Sequence, residues 1–185
     1  NVLALAGDPP KNAEDAAPSE FTYALELVEH LRSICDVGIG VAAHPEGHPR
    51  SPDLATDRRH LADKLRVTDF ATTQFFFDID HYLSLVNDLA DLDVHKPVVP
   101  GIMPVTNIAQ VERMAELSGA AFPSWLRERL EAGRTPEEVR QIGVDAATEL
   151  CAKLLEAGAP GLHFYTLNKS TATLEIYAQL GLPVA

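Results

Sequence analysis

Residues 70–102, FATTQFFFDIDHYLSLVNDLADLDVHKPVVPGI, contain the pattern that decides the fold. Two short runs, Phe70–Phe77 and Pro97–Ile102, are apolar on both faces, and Asp80–Leu89 between them predicts a helix. Strands that are apolar on both faces are typical of parallel sheets covered by helices, and a helix usually connects two parallel strands. The stretch therefore predicts a strand–helix–strand unit of an α/β protein.

The same alternation continues in both directions, giving five strand–helix repeats with one insertion before the last strand. The insertion adds a short helix, Pro123–Ala132, and a longer helix that begins at Thr135-Pro136-Glu137-Glu138, with threonine as N-cap and proline as the first helical residue. Gly158 is a plausible stop for the longer helix. The other strands are predicted at Val2–Ala6, Val37–Ala43 and Gly161–Tyr165, and the other helices at Thr22–Cys35, Asp53–Arg66, Asn107–Leu117 and Ser170–Leu180.

Two architectures fit this order in a single domain over residues 1–185: an open doubly wound sheet and part of a TIM barrel. Five strands do not close the usual eight-stranded barrel, so a barrel would lack three βα units at its N-terminal end. The chain begins without methionine and directly with the strand Val2–Ala6, which favours a start inside a longer protein.

The composition excludes several classes of function. A net charge of −12 argues against nucleic-acid and anionic-membrane partners, because those surfaces need clustered lysine and arginine. These residues predict no signal peptide, and no apolar run approaches the roughly 18–20 residues of a membrane span. Cys35 and Cys151 lie in helical patterns, and we interpret them as reduced core residues of a cytoplasmic protein. Gly-rich dinucleotide loops, phosphate loops and GxSxG motifs do not occur.

Polar side chains are concentrated at the carboxyl ends of the predicted strands, where both architectures place an active site. The first strand ends at Asp8, the third carries Gln74, and the last carries His163 and Tyr165 on one face. The second strand ends in His44-Pro45-Glu46-Gly47-His48-Pro49. An acid, an amide and aromatic rings around an apolar opening suit a flat heteroaromatic ligand.

Each of these residues also has a structural interpretation. Asp8 in Gly-Asp-Pro-Pro fits a turn residue, and a buried Gln74 needs hydrogen-bond partners whether or not it binds a ligand. His44 and His48 have a spacing seen in metal sites, but Pro45 and Pro49 disfavour the helix that such a motif needs. No metal site is predicted.

Five segments, in order and at fitting spacing, resemble methylenetetrahydrofolate reductase. They are residues 1–10 (NVLALAGDPP), 42–49 (AAHPEGHP), 73–78 (TQFFFD), 99–104 (VPGIMP) and 163–168 (HFYTLN). The resemblance implies a TIM barrel of which this chain forms the C-terminal five βα units. It also implies reduction of 5,10-methylenetetrahydrofolate to 5-methyltetrahydrofolate with NADH or NADPH through bound FAD, in one-carbon metabolism and methionine supply.

The resemblance assigns roles to individual residues. Asp8, the catalytic candidate, would meet the pterin beside the flavin. The substrate contacts would be Asp8, Gln74, Gln110 and Lys169, where Lys169 stands in place of the usual arginine. The flavin contacts would be Leu5, Ala6, Gly7, Asp8, Tyr23, Ala24, His44, His48, Asp57, His60 and Lys64. The family's general acid, a glutamate on the first barrel strand, has no counterpart in these residues, so we expect this chain alone to be inactive.

Three departures from the family pattern bear on the cofactor. Ala6 replaces an arginine, His44 replaces a tyrosine, and Asp63 adds an anion beside Lys64, near the expected flavin diphosphate. They leave two alternatives to an FAD enzyme: direct hydride transfer from the nicotinamide to folate, or an inactive barrel that binds folate or a protein partner. A metal-dependent hydrolase would rest on His44 and His48 alone. The oligomeric state, including a homo-oligomer, stays open.

Overall fold

The computed structural model describes residues 1–5 and 20–181, and within them one parallel sheet is flanked by helices. The strands are β1 (Val2–Ala4), β2 (Ile39–Ala43), β3 (Phe70–Phe75), β4 (Val98–Ile102) and β5 (His163–Phe164). The helices are α1 (Ala24–Ile34), α2 (Leu54–Val67), α3 (Ile79–Asp91), α4 (Ile108–Ser118), α5 (Ser124–Glu131), α6 (Pro136–Glu156) and α7 (Thr171–Gln179).

The order of the strands decides between the two architectures. They lie in the sheet in chain order, from β1 to β5, and each neighbouring pair is parallel. A doubly wound sheet reverses its order at a switch point and carries helices on both faces, whereas a (β/α) barrel adds each strand beside the preceding one. Here α1, α2, α3, α6 and α7 all contribute to one core against the sheet. The fold is therefore that of a barrel wall.

The core between the sheet and these helices is built from fully buried aliphatic side chains. They are Ile39, Val41 and Ala71 of the strands, with Val28, Leu65, Leu85, Leu154 and Ile176 of the five helices. Each large aliphatic side chain buried in this way contributes about 1.5–3 kcal/mol to folding. Cys151 belongs to the same core, where burial raises the pKa of its thiol to about 12. Cys35, also predicted as a core residue, is only partly buried at the end of α1 and lies outside this core.

The predicted element boundaries are close to those found. The start of α6 is confirmed: Thr135 Oγ1 accepts a hydrogen bond from Glu138 N at 3.2 Å, and Pro136 is the first helical residue. The strand ends differ more. β2 begins at Ile39 instead of Val37, and β5 keeps only two residues, although Tyr165 N still donates to Ile102 O at 2.8 Å.

A β-bulge in β3 changes which side chains face the helices. Thr72 pairs with Val99 and Phe75 pairs with Gly101, so two residues of β3 lie opposite the single residue Pro100. The extra residue shifts the alternation by one. As a result Phe76 packs in the core against the helices, and Phe75 packs in a second apolar cluster.

That second cluster lies at the carboxyl ends of β3 and β4. It is closed by α4, α5 and α6, the helices between β4 and β5. Its buried members are Phe75, Phe77, Met103, Val105, Val111, Ala115, Leu126, Leu130 and Ala146. The insertion predicted before the last strand thus covers the end of the sheet at which the strand-end polar residues lie. Among residues 20–181, no helix has both the length and the apolar composition needed to cross a bilayer.

Candidate functional site

A shallow, open cleft lies at the carboxyl ends of β2 and β3. The loop after β2, His44–Gly47, forms one side, and Ser118–Ala120 at the end of α4 forms another. Gln74 and Phe75 of β3 lie between them. The structure therefore brings together Gln74 and His44, which the sequence assigned to the substrate and the flavin respectively.

The loop after β2 is held by Arg58, a residue that the sequence analysis missed. Arg58 is only 3% exposed. Its guanidinium donates to His44 O at 2.9 Å, Pro45 O at 2.6 Å and Asp88 Oδ2 at 3.0 Å, and it lies 3.3 Å from Asp57 Oδ2. A planar fork with five donors suits this set of acceptors, so Arg58 fixes the backbone that carries His44.

Asp57 and Lys64 of α2 interact electrostatically with His44 and His48, which follow β2. Asp57 is buried and accepts a hydrogen bond from Ser51 Oγ at 3.3 Å. Lys64 Nζ lies 3.3 Å from Ala42 O, its single hydrogen bond within the described part of the chain. Burial lowers the pKa of the Lys64 ammonium, with Asp57 opposing that effect.

The two histidines of the loop pack edge to face, with ring centroids 4.6 Å apart. Burial, reinforced by the charge of His48, lowers the pKa of His44 to about 4, so its ring is neutral at pH 7. An uncharged aromatic ring is also what tyrosine would present, and the replacement of tyrosine by His44 therefore keeps the character of that position. Burial, followed by the charge of Arg50, lowers the pKa of His48 as well.

These histidines do not extend into a metal-binding group within residues 1–5 and 20–181, where no cluster of three or more His, Cys, Asp or Glu side chains could hold an ion. The Nδ1 atom of His48 already accepts a hydrogen bond from Arg50 N at 3.1 Å.

Gln74 is half-buried at the β3 bulge. Its Oε1 accepts a hydrogen bond from Phe75 N at 3.0 Å, and its Nε2 makes no hydrogen bond to the described residues. Beside it, Phe75 and Tyr165 pack edge to face with centroids 5.9 Å apart, and His163 and Tyr165 do so at 5.0 Å. The sequence left open which side of β5 these two residues occupy. They share the Phe75 side, while Phe164 packs on the core against the helices.

Glu46 connects the loop after β2 to a distant segment. Its Oε2 accepts a hydrogen bond from Ala121 N at 2.9 Å and lies 3.7 Å from His81 Nε2. Its Oε1 is buried and has no hydrogen-bond partner among the described residues. Glu46 thus ties together two of the segments that line the cleft.

Other predicted site residues lie elsewhere. Gln110 is exposed in the first turn of α4, and Lys169 is exposed after β5; neither lines the cleft. His60 is exposed on α2, and Tyr23, at the start of α1, is 70% exposed. Leu5 is half-exposed beside β1, and Ala24 is partly buried in α1. Ala6, Gly7 and Asp8 lie outside the described residues.

Asp63 was expected to oppose an anionic cofactor beside Lys64. It is exposed and forms an ion pair with Arg66, with Asp63 Oδ1 2.6 Å from Arg66 Nη1. The negative charge of Asp63 is therefore partly balanced by Arg66 on the same helix. This arrangement weakens the electrostatic objection to a diphosphate near Lys64.

Comparison with known proteins gives a consistent result. The family model described as methylenetetrahydrofolate reductase matches residues 1–181. "Methylenetetrahydrofolate reductase 2" of Saccharomyces cerevisiae is 37% identical over 98% of this chain, and "Methylenetetrahydrofolate reductase (NADH) 1" of Arabidopsis thaliana is 39% identical over 98%. The chain spans 32% and 33% of those two proteins. It spans 60% of the "5,10-methylenetetrahydrofolate reductase" of Pectobacterium carotovorum, at 32% identity.

Among solved structures, a protein from Clostridium thermocellum superimposes with a TM-score of 0.56 at 18% identity. The match covers 84% of this chain and 56% of that one. That protein is described as binding two copies of 5-methyl-5,6,7,8-tetrahydrofolic acid. At this identity the likeness concerns the fold alone.

Proposed function

The chain belongs to the methylenetetrahydrofolate reductase family, and on that premise we propose that the protein containing it reduces 5,10-methylenetetrahydrofolate to 5-methyltetrahydrofolate with NADH or NADPH. One observation supports this most: Gln74, assigned to the substrate, lines the same cleft as His44, assigned to the flavin. Hydride transfer needs a donor and an acceptor in contact and correctly oriented, with little covalent chemistry from the protein. A cleft that unites both assigned contacts suits that task.

Gln74 is the proposed recognition group for the flat ring of the substrate. Because Phe75 N already occupies Gln74 Oε1, the free Nε2 is available to donate to a carbonyl oxygen of the pterin or of the nicotinamide carboxamide. In this proposal Asp8 accepts hydrogen bonds from the pterin. Gln110 and Lys169 contact the outer part of the substrate, where a lysine suits a carboxylate.

Lys64 on α2 fits an anionic cofactor, and we include FAD in the proposal. Lys64 is a partly desolvated cation with one long hydrogen bond, and it has donors to spare for a phosphate oxygen. Lys64, Asp57, His48 and His44 would hold the cofactor, with Leu5, Ala6, Gly7, Tyr23, Ala24 and His60 as further contacts. When bound, FAD supplies a hydride acceptor for the nicotinamide and a hydride donor for the folate.

The absorbance spectrum of the intact purified protein tests the cofactor. We expect a stoichiometric flavin band, and about tenfold weaker flavin binding in Lys64→Gln, since one charge-assisted contact is lost. The matched control is Lys153→Gln, because Lys153 is exposed on α6 far along the chain from this loop. A flavin-free protein that still reduces folate would replace this part of the proposal with direct hydride transfer from the nicotinamide.

Steady-state kinetics of the intact protein test the assignment of Gln74. We expect Gln74→Ala to lower kcat/KM for methylenetetrahydrofolate by roughly tenfold or more, because the amide is lost from the binding cleft. The control is Gln141→Ala, which removes an exposed amide whose nitrogen donates to Asp145 Oδ1 on the surface of α6. Equal kinetics for the two variants would remove Gln74 from the site.

We place the reaction in the cytoplasm, as part of the one-carbon metabolism that supplies methionine. The free thiols of Cys35 and Cys151 support a reducing compartment. The partners in this proposal are the folate substrate and the nicotinamide, and a homo-oligomer is compatible with it.

A further inference from the structure

The β3 bulge beside Gln74 interrupts the pairing of β3 with β4. Thr73 and Gln74 together lie opposite Pro100 of β4. Ala71 N donates to Pro97 O and Tyr165 N donates to Ile102 O, so alternate residues of β4 face β3 and β5, and Gly101 presents its N–H to β3 beside the bulge. The regular pairing is thus interrupted at the residue that enters the cleft.

Side-chain hydrogen bonds replace the missing ladder bond. Gly101 N donates to Thr73 Oγ1 at 2.8 Å, and the hydroxyl of Tyr165 donates to Thr73 O at 3.0 Å. We call Thr73, Gly101 and Tyr165 the Thr73 bridge. It joins β3 to β4 and to the residue that follows β5, and Thr73 is completely buried within it.

Glycine is required at position 101 for this geometry. A Cβ built there would clash with Thr73 O and would lie 2.8 Å from Cε2 of Tyr165. The bridge is therefore a close-packed arrangement in which the backbone of Thr73, the ring of Tyr165 and the bare Cα of Gly101 fix one another. The carbonyl of Thr73 belongs to the peptide bond that joins Thr73 to Gln74.

We propose that Tyr165, acting through the carbonyl of Thr73, is a positioning residue that sets the orientation of the Gln74 carboxamide in the cleft. The inference rests on the proposed function, in which Gln74 contacts the folate or the nicotinamide. The hydroxyl of Tyr165 donates to the carbonyl of Thr73 and so fixes the bulged backbone. That backbone positions Gln74 so that its Oε1 accepts from Phe75 N, while its Nε2 can donate to a ligand. Tyr165 thereby determines how well the cleft is organised before a ligand enters.

The test is Tyr165→Phe in the intact protein, with Tyr82→Phe as the matched control. Tyr82 is also a core tyrosine whose hydroxyl donates to a strand carbonyl, that of Val98, at 2.9 Å, but it packs on the helix side of the sheet. Both variants lose one hydrogen bond of the same kind. We expect Tyr165→Phe to raise the KM for methylenetetrahydrofolate roughly fivefold, and Tyr82→Phe to leave it within about twofold.

A double-mutant cycle separates positioning from direct contact. If Tyr165 acts through Gln74, Tyr165→Phe has no further effect on KM in a Gln74→Ala background. Additive effects of the two substitutions would overturn the inference, because they would mean that Tyr165 contacts the ligand itself.

Crystal structures of the variants keep this test independent of the proposed reaction. In Tyr165→Phe the Gln74 carboxamide should move by roughly 1 Å or more, or occupy two conformers, and in Tyr82→Phe it should stay in place. An unmoved Gln74 in Tyr165→Phe would overturn the inference even if folate turnover changed. If the wild-type protein reduces no folate, the proposed function fails, and the position of Gln74 still decides the role of Tyr165.

Discussion

Replacing Arg58 with lysine removes the guanidinium that supports the loop after β2. In the native protein this side chain reaches the carbonyls of His44 and Pro45 and the carboxylates of Asp57 and Asp88 while being 3% exposed. Lysine keeps the charge but has a single nitrogen in place of the planar fork. It cannot reproduce contacts that spread from two loop carbonyls to a side chain on α3.

The size of the effect follows from the number of bonds lost. At least two hydrogen bonds from a charged group to buried acceptors disappear, and each is worth about 1.5–3 kcal/mol. Because lysine keeps the positive charge beside Asp57 and Asp88, no buried carboxylate is left without a cation, and the loss should not reach the top of the range that two such bonds give. We therefore expect Arg58→Lys to lower the free energy of unfolding by about 3–5 kcal/mol.

Guanidinium-chloride unfolding, followed by circular dichroism, measures this change. Arg59→Lys is the control, because Arg59 is the exposed neighbour and, within residues 20–181, its side chain donates a single hydrogen bond, to Thr56 Oγ1 at 3.0 Å. Its free energy of unfolding should stay within about 0.5 kcal/mol of the wild-type value. Equal losses in the two variants would refute the assignment of Arg58 as the support of the cleft loop.

Two further predictions concern stability. Because burial lowers the pKa of His44 from 6.5 to about 4, the unfolded chain takes up a proton first as the pH falls through this range. His44 should contribute about 2–3 kcal/mol to the unfolding free energy that the protein loses between neutral pH and about pH 4. His44→Gln should therefore lose less stability over this range, as measured by unfolding at both pH values. A loss identical to that of the wild-type protein would exclude His44 as a cause. Gly143→Ala should destabilise by about 1–3 kcal/mol, because its Cβ would clash with the carbonyl oxygen of Val105, whereas a Cβ on Gly161 meets nothing within 4 Å. Thermal unfolding of the two alanine variants checks this, and equal melting temperatures would contradict it.

The sequence predicted the order of elements because the strands are short and largely apolar runs, the helices are longer segments between them, and α6 has a clear start signal in Thr135 and Pro136. The hydrophobic pattern alone could not distinguish a doubly wound sheet from a barrel, because the order of the strands is a property of the assembled sheet. The bulge at Gln74 is likewise non-local: it arises from the pairing of Thr73 and Gln74 with Pro100.

Two supports of the site were missed for different reasons. Arg58 precedes Leu61 and Leu65 by three and seven residues, which is the spacing of one helix face, so a charged residue on the buried face of α2 was a usable signal. The contact of Glu46 with Ala121 spans 75 residues of chain and leaves no local pattern. The family resemblance assigned Asp57, Lys64 and the two histidines to one cofactor. In the structure, the short connection between β2 and α2 brings these side chains near one another.

The most direct test of the account is whether the intact protein couples nicotinamide oxidation to folate reduction. NADH and NADPH are each incubated with the protein and 5,10-methylenetetrahydrofolate, and 5-methyltetrahydrofolate is measured by mass spectrometry. The account predicts that at least one nicotinamide is oxidised only when the folate is present, and that 5-methyltetrahydrofolate appears in an equal amount. Folded, intact protein that forms no 5-methyltetrahydrofolate with either nicotinamide would contradict it.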